Sequence, residues 1–174
     1  MSKTPHYMPF DSIKNVKLSA LEKKLDGFIV DIPAKDIPIG YLCRSGTKFH
    51  GVYLFYNEKK ILQYVGKSTS RSFAERIPAH FDLRPKAWFN TLPKKMCPKE
   101  PSNVIYEEAR QKALSFRLIM VGMDCNTDEG KMHARILEKV LRHYLEPRLN
   151  TPKKLNQYDP NKSLGDLLKE LSTG

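Results

Sequence analysis

Apolar residues recur at helical spacing near both ends of the chain and alternate in its middle. Over residues 11–28, Leu18, Leu21, Leu25 and Phe28 fall on one face and predict an amphipathic helix. Residues 29–50 carry Pro33, Pro38, Gly40 and Gly46 and read as a connecting segment. Two β-rich runs follow, 51–56 (Gly-Val-Tyr-Leu-Phe-Tyr) and 60–65 (Lys-Ile-Leu-Gln-Tyr-Val). A two-residue turn at Glu58-Lys59 would set Tyr53 directly opposite Tyr64, both on the same face of a hairpin.

Ser72-Phe-Ala-Glu75 has the capping-box pattern that opens a helix. Arg76 and His80, four positions apart, would share a face of it. Pro78 lies between them and removes a helical hydrogen bond, so this helix is expected to be short or kinked. Residues 82–103 hold Pro85, Pro93, Pro98 and Pro101 and read as a loop-rich insertion with a little helix. Ala113 to Val121 alternates as a strand should. Asn126-Thr-Asp-Glu129 is a second helix start. The helix it opens runs to about Leu145, with Met132, Ile136, Leu137, Val140, Leu141 and Tyr144 as its buried stripe and Glu138 beside that stripe. Leu164, Leu167, Leu168 and Leu171 predict a last amphipathic helix behind Ser163.

The expected fold class is therefore α+β. Its 174 residues suit one domain, and 40% hydrophobic with 28% charged residues suits a globular chain. No apolar stretch is long enough to span a membrane, and the first residues lack the apolar run of a signal peptide, so no membrane partner is expected. Cys43, Cys97 and Cys125 form no metal-ligand spacing. They read as small core residues of a chain kept in a reducing, cytoplasmic setting.

Charge adds the first functional content. Thirty Lys and Arg oppose nineteen Asp and Glu, a net +11. The excess is clustered: residues 59–99 hold ten basic side chains against Glu75 and Asp82, and 131–154 hold seven against Glu138 and Glu146. Residues 100–130 between them are net acidic. Clustering of this kind points to a polyanion, because Lys and Arg displace counterions condensed on phosphates.

Gly51-Val52-Tyr53 and, ten residues on, Tyr64-Val65-Gly66 make the chain similar to the GIY-YIG nucleases. Arg76 and His80 follow the second tripeptide. Glu138 follows a strand, and Glu-Pro-Arg-Leu-Asn ends at Asn150, twelve positions after Glu138. The repair-type incision domains of the family carry a similar glutamate-to-asparagine arrangement. The resemblance spans 49–152; the gap from Gly66 to Arg76 is longer than in typical members, and Pro78 is a departure. It implies a small three-stranded antiparallel sheet flanked by helices, here with an N-terminal helical extension (1–48), an insertion at 82–112 and a C-terminal helix and tail (153–174).

The resemblance also implies roles. Glu138 would hold one divalent ion, Mg²⁺ or Mn²⁺, since a lone carboxylate completed by phosphate and water suits a hard cation. Tyr53 would act as base or position the water, with Tyr64 as the second hydroxyl. A phenol with a pKa near 10 is a poor base unless cations favour its phenolate. Arg76 would meet the scissile phosphate, His80 would assist there or at the water, and Asn150 would support the geometry. Lys67 and Arg71 would contact the DNA beside the site, and Arg84, Lys86, Trp88, Lys94 and Lys95 in the insertion would meet a groove or the backbone. The expected activity is hydrolysis of DNA by a sequence-specific, restriction-like endonuclease, with a homodimer as the expected way to cut both strands. A structure-specific repair or mobile-element nuclease is the alternative within the class, and a non-catalytic nucleic-acid-binding module the alternative outside it. Glu138 has its own rival, an ion pair with Arg142 one turn on.

Overall fold

A computed structural model describes residues 6–43, 48–87, 91–155 and 158–173. The elements in chain order are β1 (Tyr7–Pro9), α1 (Leu18–Asp26), α2 (Ile39–Leu42), β2 (His50–Tyr56), β3 (Leu62–Ser68), α3 (Phe73–Arg76), α4 (Thr91–Met96), α5 (Asn103–Leu114), β4 (Arg117–Met123), α6 (Asp128–Tyr144) and α7 (Leu164–Thr173), with short 3-10 turns between some of them. No helix among the described residues is long and apolar enough to cross a membrane.

The α+β class holds, but the sheet is not three-stranded and antiparallel. It has four strands in the order β1-β4-β2-β3, and β1 runs parallel to β4. β1 comes from the N-terminal extension, which is therefore partly a strand. Its signal is faint because it is three residues long and ends in Pro9, which suits only an edge. Gly122 makes room for it: a Cβ there would come within 2.1 Å of the Tyr7 hydroxyl.

The β2–β3 hairpin also differs in register. Tyr53 lies opposite Gly66, and Phe55 opposite Tyr64. The reversal is longer than two residues. Asn57 Oδ1 accepts hydrogen bonds from the Lys59 and Ile61 amides at 3.0 and 2.9 Å, Lys60 takes φ 56°, and the ladder is irregular between Phe55 and Tyr56. A slip of two residues keeps every side chain on its face, so Tyr53 and Tyr64 still share one.

The two faces bury different things. Val52, Leu54, Val65, Ile119 and Val121 pack under Leu21 and Leu25 of α1, Leu137, Val140 and Leu141 of α6, and Leu164, Leu167 and Leu168 of α7. On the other face Tyr53, Phe55, Tyr64, Leu118 and Met120 meet Phe73, Ile77, Leu92, Ala113 and Phe116. The last helix docks on its own chain. The amides of Leu18 and Ser19, at the start of α1, donate to the carbonyls of Lys162 and Pro160, and the Leu164 amide donates to Val16.

The insertion is more helical than its prolines suggest. It contains α4 and α5, whose N-cap Ser102 accepts from the Ile105 amide. α5 shows little apolar periodicity because Val104 and Ile105 face solvent while Tyr106, Ala109 and Ala113 are buried. Of the three cysteines only Cys125 is in the core; Cys43 is exposed and Cys97 partly so.

Candidate active site

The site begins with a capping box. Ser72 and Glu75 exchange hydrogen bonds as their spacing predicts, which starts α3. Pro78 then turns the chain into a 3-10 turn, Pro78–Phe81, that directs His80 inward. His80 and Tyr53 are both fully buried, and the Tyr53 hydroxyl lies 2.7 Å from His80 Nε2. Arg76 hydrogen-bonds the same phenol oxygen. A guanidinium only donates, so the phenol oxygen accepts from Arg76, while the imidazole tautomer sets the direction of the bond between Tyr53 and His80.

Aromatic rings close the pocket. The His80 ring centroid is 5.4 Å from those of Tyr53 and Tyr64 and 5.8 Å from Phe55, all edge-on. Burial, and then the Arg76 charge, pushes the His80 imidazole down to about 3. Burial, reinforced by Tyr64, pushes the Tyr53 phenol far above its ordinary value, against the pull of Arg76. Tyr53 is thus sealed, and the Arg76 charge beside it does not overcome desolvation.

Gly66 is what allows this arrangement. It faces Tyr53 across the ladder, and a Cβ there would lie 2.4 Å from both the Tyr53 hydroxyl and its ring carbon. The phenol occupies the volume a side chain would take.

Glu138 belongs to the other face. Strand alternation puts Lys67 with Val65 rather than with Tyr64, toward α6. There Lys67 Nζ is 3.5 Å from Glu138 Oε2. Arg142, one turn on, donates to Oε1 at 2.8 Å and also to the Thr151 carbonyl. The i,i+4 pair that rivals metal binding is therefore made. The tyrosine pocket and the Glu138 corner meet only around the edge strand β3, close enough for the Glu138 charge to act on Tyr53.

Asn150 locks that edge. Its Oδ1 accepts from the Val65 amide at 2.7 Å and its Nδ2 donates to the Val65 carbonyl at 3.0 Å, while the Leu149 amide donates to Gln63. Unpaired edge groups are thereby satisfied by a side chain.

Among the described residues no three His, Cys, Asp or Glu side chains cluster as a metal cage. Glu138 still suits one hard cation. Arg142 occupies one oxygen, whereas the other has only the longer contact to the half-exposed Lys67, and a single carboxylate completed by phosphate and water is an accepted ligand set.

The predicted DNA contacts are dispersed. Ser68 donates to the Arg71 carbonyl, which holds the turn after β3. Arg84 is engaged by Asp82 through two side-chain bonds, at 3.0 and 2.8 Å. Lys94 and Lys95 project from α4, and Lys86 lies in the loop before it. Trp88 falls outside the described residues. Sequence reasoning missed what Gly66 does for Tyr53 and the bridge Arg142 makes from Glu138 to Thr151; only the latter left a signal, its i,i+4 spacing. No family model, curated protein or solved structure matches the chain.

Proposed function

We propose that the chain is a divalent-metal-dependent nuclease of the GIY-YIG kind that hydrolyses phosphodiester bonds in DNA. One observation carries this reading: Tyr53, Tyr64, Arg76 and His80 converge on one cluster, in which Tyr53 is hydrogen-bonded to His80 and the Tyr64 ring packs against both, and the Glu138–Lys67 pair lies just around the strand edge.

The burial pattern assigns work within the cluster. Tyr53 has no exposed surface and acts by orienting Arg76 and His80. Tyr64 retains 7% exposure and is the phenol that reaches the attacking water. Arg76 binds the scissile phosphate and stabilises the charge that develops on it. A bound phosphate also neutralises Arg76, which removes part of what holds the His80 pKa down, so His80 becomes a better proton acceptor when substrate is present. The ion held at Glu138 would supply Lewis-acid stabilisation of phosphate oxygens. Cutting both strands with one such site per chain takes two copies.

A second reading is favoured by the Glu138 corner itself. A carboxylate already neutralised by Arg142 and Lys67 is also what a purely structural ion pair looks like, which suits a nucleic-acid-binding module without catalysis. Supercoiled plasmid with Mg²⁺ separates the two. Wild type should nick or cut, and Tyr64→Phe and Glu138→Ala should lose at least about a hundredfold, the scale of a removed proton-transfer or charge-stabilising group. If wild type binds DNA but leaves supercoiled, linear and branched substrates intact with Mg²⁺ or Mn²⁺, the binding module stands instead.

A further inference from the structure

The insertion contains a cleft of about 570 Å³ lined by Lys86, Lys94 and Lys99 and by Pro85, Pro98 and Pro101. We propose that this cleft is a track for the phosphodiester backbone of nucleic acid, with Leu83 and Val104 touching sugars or bases alongside it. The proposal rests on the nuclease reading and gives it a grip separate from the tyrosine pocket.

Its lining is of one sign. Among the described residues no carboxylate lines the cleft, although Glu100 lies between Lys99 and Pro101 in sequence. Lys86 and Lys99 make no ion pair or hydrogen bond among the described residues, whereas Lys94 donates to the Ala87 carbonyl at 2.7 Å. Nearby Arg84 is different, because Asp82 neutralises it. Lysines without counter-charges repel one another and concentrate anions. Three prolines limit how far their backbone can relax, so the separation of the charges is held for a ligand.

Elsewhere in the insertion the Tyr106 hydroxyl donates to the Asp82 carbonyl at 2.7 Å. Leu83 and Val104 flank that bond and are 69% and 68% exposed. Apolar side chains beside such cations match the alternating sugar and phosphate of a nucleic-acid strand better than a free anion.

The test is anisotropy of a fluorescein-labelled 30-base-pair duplex at several salt concentrations, with no divalent metal. Lys86→Ala/Lys99→Ala should flatten the slope of log K against log salt by about 2, near 0.9 for each phosphate that is no longer neutralised. Leu83→Ser/Val104→Ser should weaken binding with the slope unchanged. If wild type binds and cuts but the lysine variant keeps the wild-type slope, the cleft is not the track and the nuclease reading survives. If wild type binds no duplex, single-stranded or branched DNA at low salt, both fall.

Discussion

The two faces of the sheet solve burial in opposite ways. Beneath α1, α6 and α7 the contacts are mostly aliphatic, with the Tyr56 phenol buried among them, and Glu138 sits at the margin with two cations. On the other face an imidazole and two phenols lie inside the core, one pair joined at 2.7 Å. An aliphatic core needs only volume and shape. A polar core needs every donor and acceptor matched, and is kept neutral by burial where it cannot be paired. The first face holds the chain together, and the second holds chemical groups in one geometry at some cost in stability.

Truncation of the aliphatic face should give the largest loss. Leu137 is fully buried among β-sheet valines and leucines, so Leu137→Ala removes transfer energy and leaves a cavity, about 2–5 kcal/mol in chemical denaturation. That loss should be nearly independent of pH, since no titrating group is involved. A strong pH dependence of the loss would mean that the two faces are not separable.

The polar face should instead show itself through pH. His80 has a pKa of about 3 in the folded chain against 6.5 for the free side chain. Between those values the unfolded chain binds a proton that the native chain refuses, so stability rises with pH there. The contribution is complete above pH 6.5 and drains away as pH falls toward 3, by about 3 kcal/mol between pH 7 and pH 4. Asp82 and Glu107, held low by arginine partners, add acid sensitivity at the lower end of the window. The measurement is therefore a difference. His80→Leu should have a flatter stability profile than wild type between pH 4 and 7, whatever its stability at neutral pH, and parallel profiles would show that His80 titrates normally.

How much is legible in the sequence follows the same division. The aliphatic stripes of α1, α6 and α7 announce themselves, because periodic apolar residues have one use. Ser72 and Glu75 mark the start of α3 correctly. The shared face of Tyr53 and Tyr64 is legible even though their pairing is not. Parity survives a slip of two, while the slip depends on Asn57 and a left-handed Lys60, which no Asn-Gly or Asp-Gly signal marks. β1 is hidden by its length and by Pro9, and α5 by the outward-facing Val104 and Ile105. That Glu138 and the tyrosines approach from different faces follows from the order of the strands, a tertiary fact. No local pattern carries it.

The smallest effect is the most discriminating, because two terms oppose each other at Gly66. In a strand interior, alanine in place of glycine normally adds about 0.5–1 kcal/mol of stability by restricting the unfolded chain. Here the new Cβ would meet the Tyr53 hydroxyl and ring carbon at 2.4 Å, and Tyr53 is wedged among Phe55, Phe73 and His80 with no exposed surface. Overpacking of that kind costs about 1–3 kcal/mol, so Gly66→Ala should destabilise by a net amount near ~1 kcal/mol. In a Tyr53→Ala background the obstacle is gone, and the same substitution should turn neutral or stabilising. The double-mutant cycle reads that change of sign directly. If Gly66→Ala stabilises the otherwise unaltered chain, the phenol does not lie over Gly66, and the hydrogen-bonded pocket that sets this face apart from the other is not built as described.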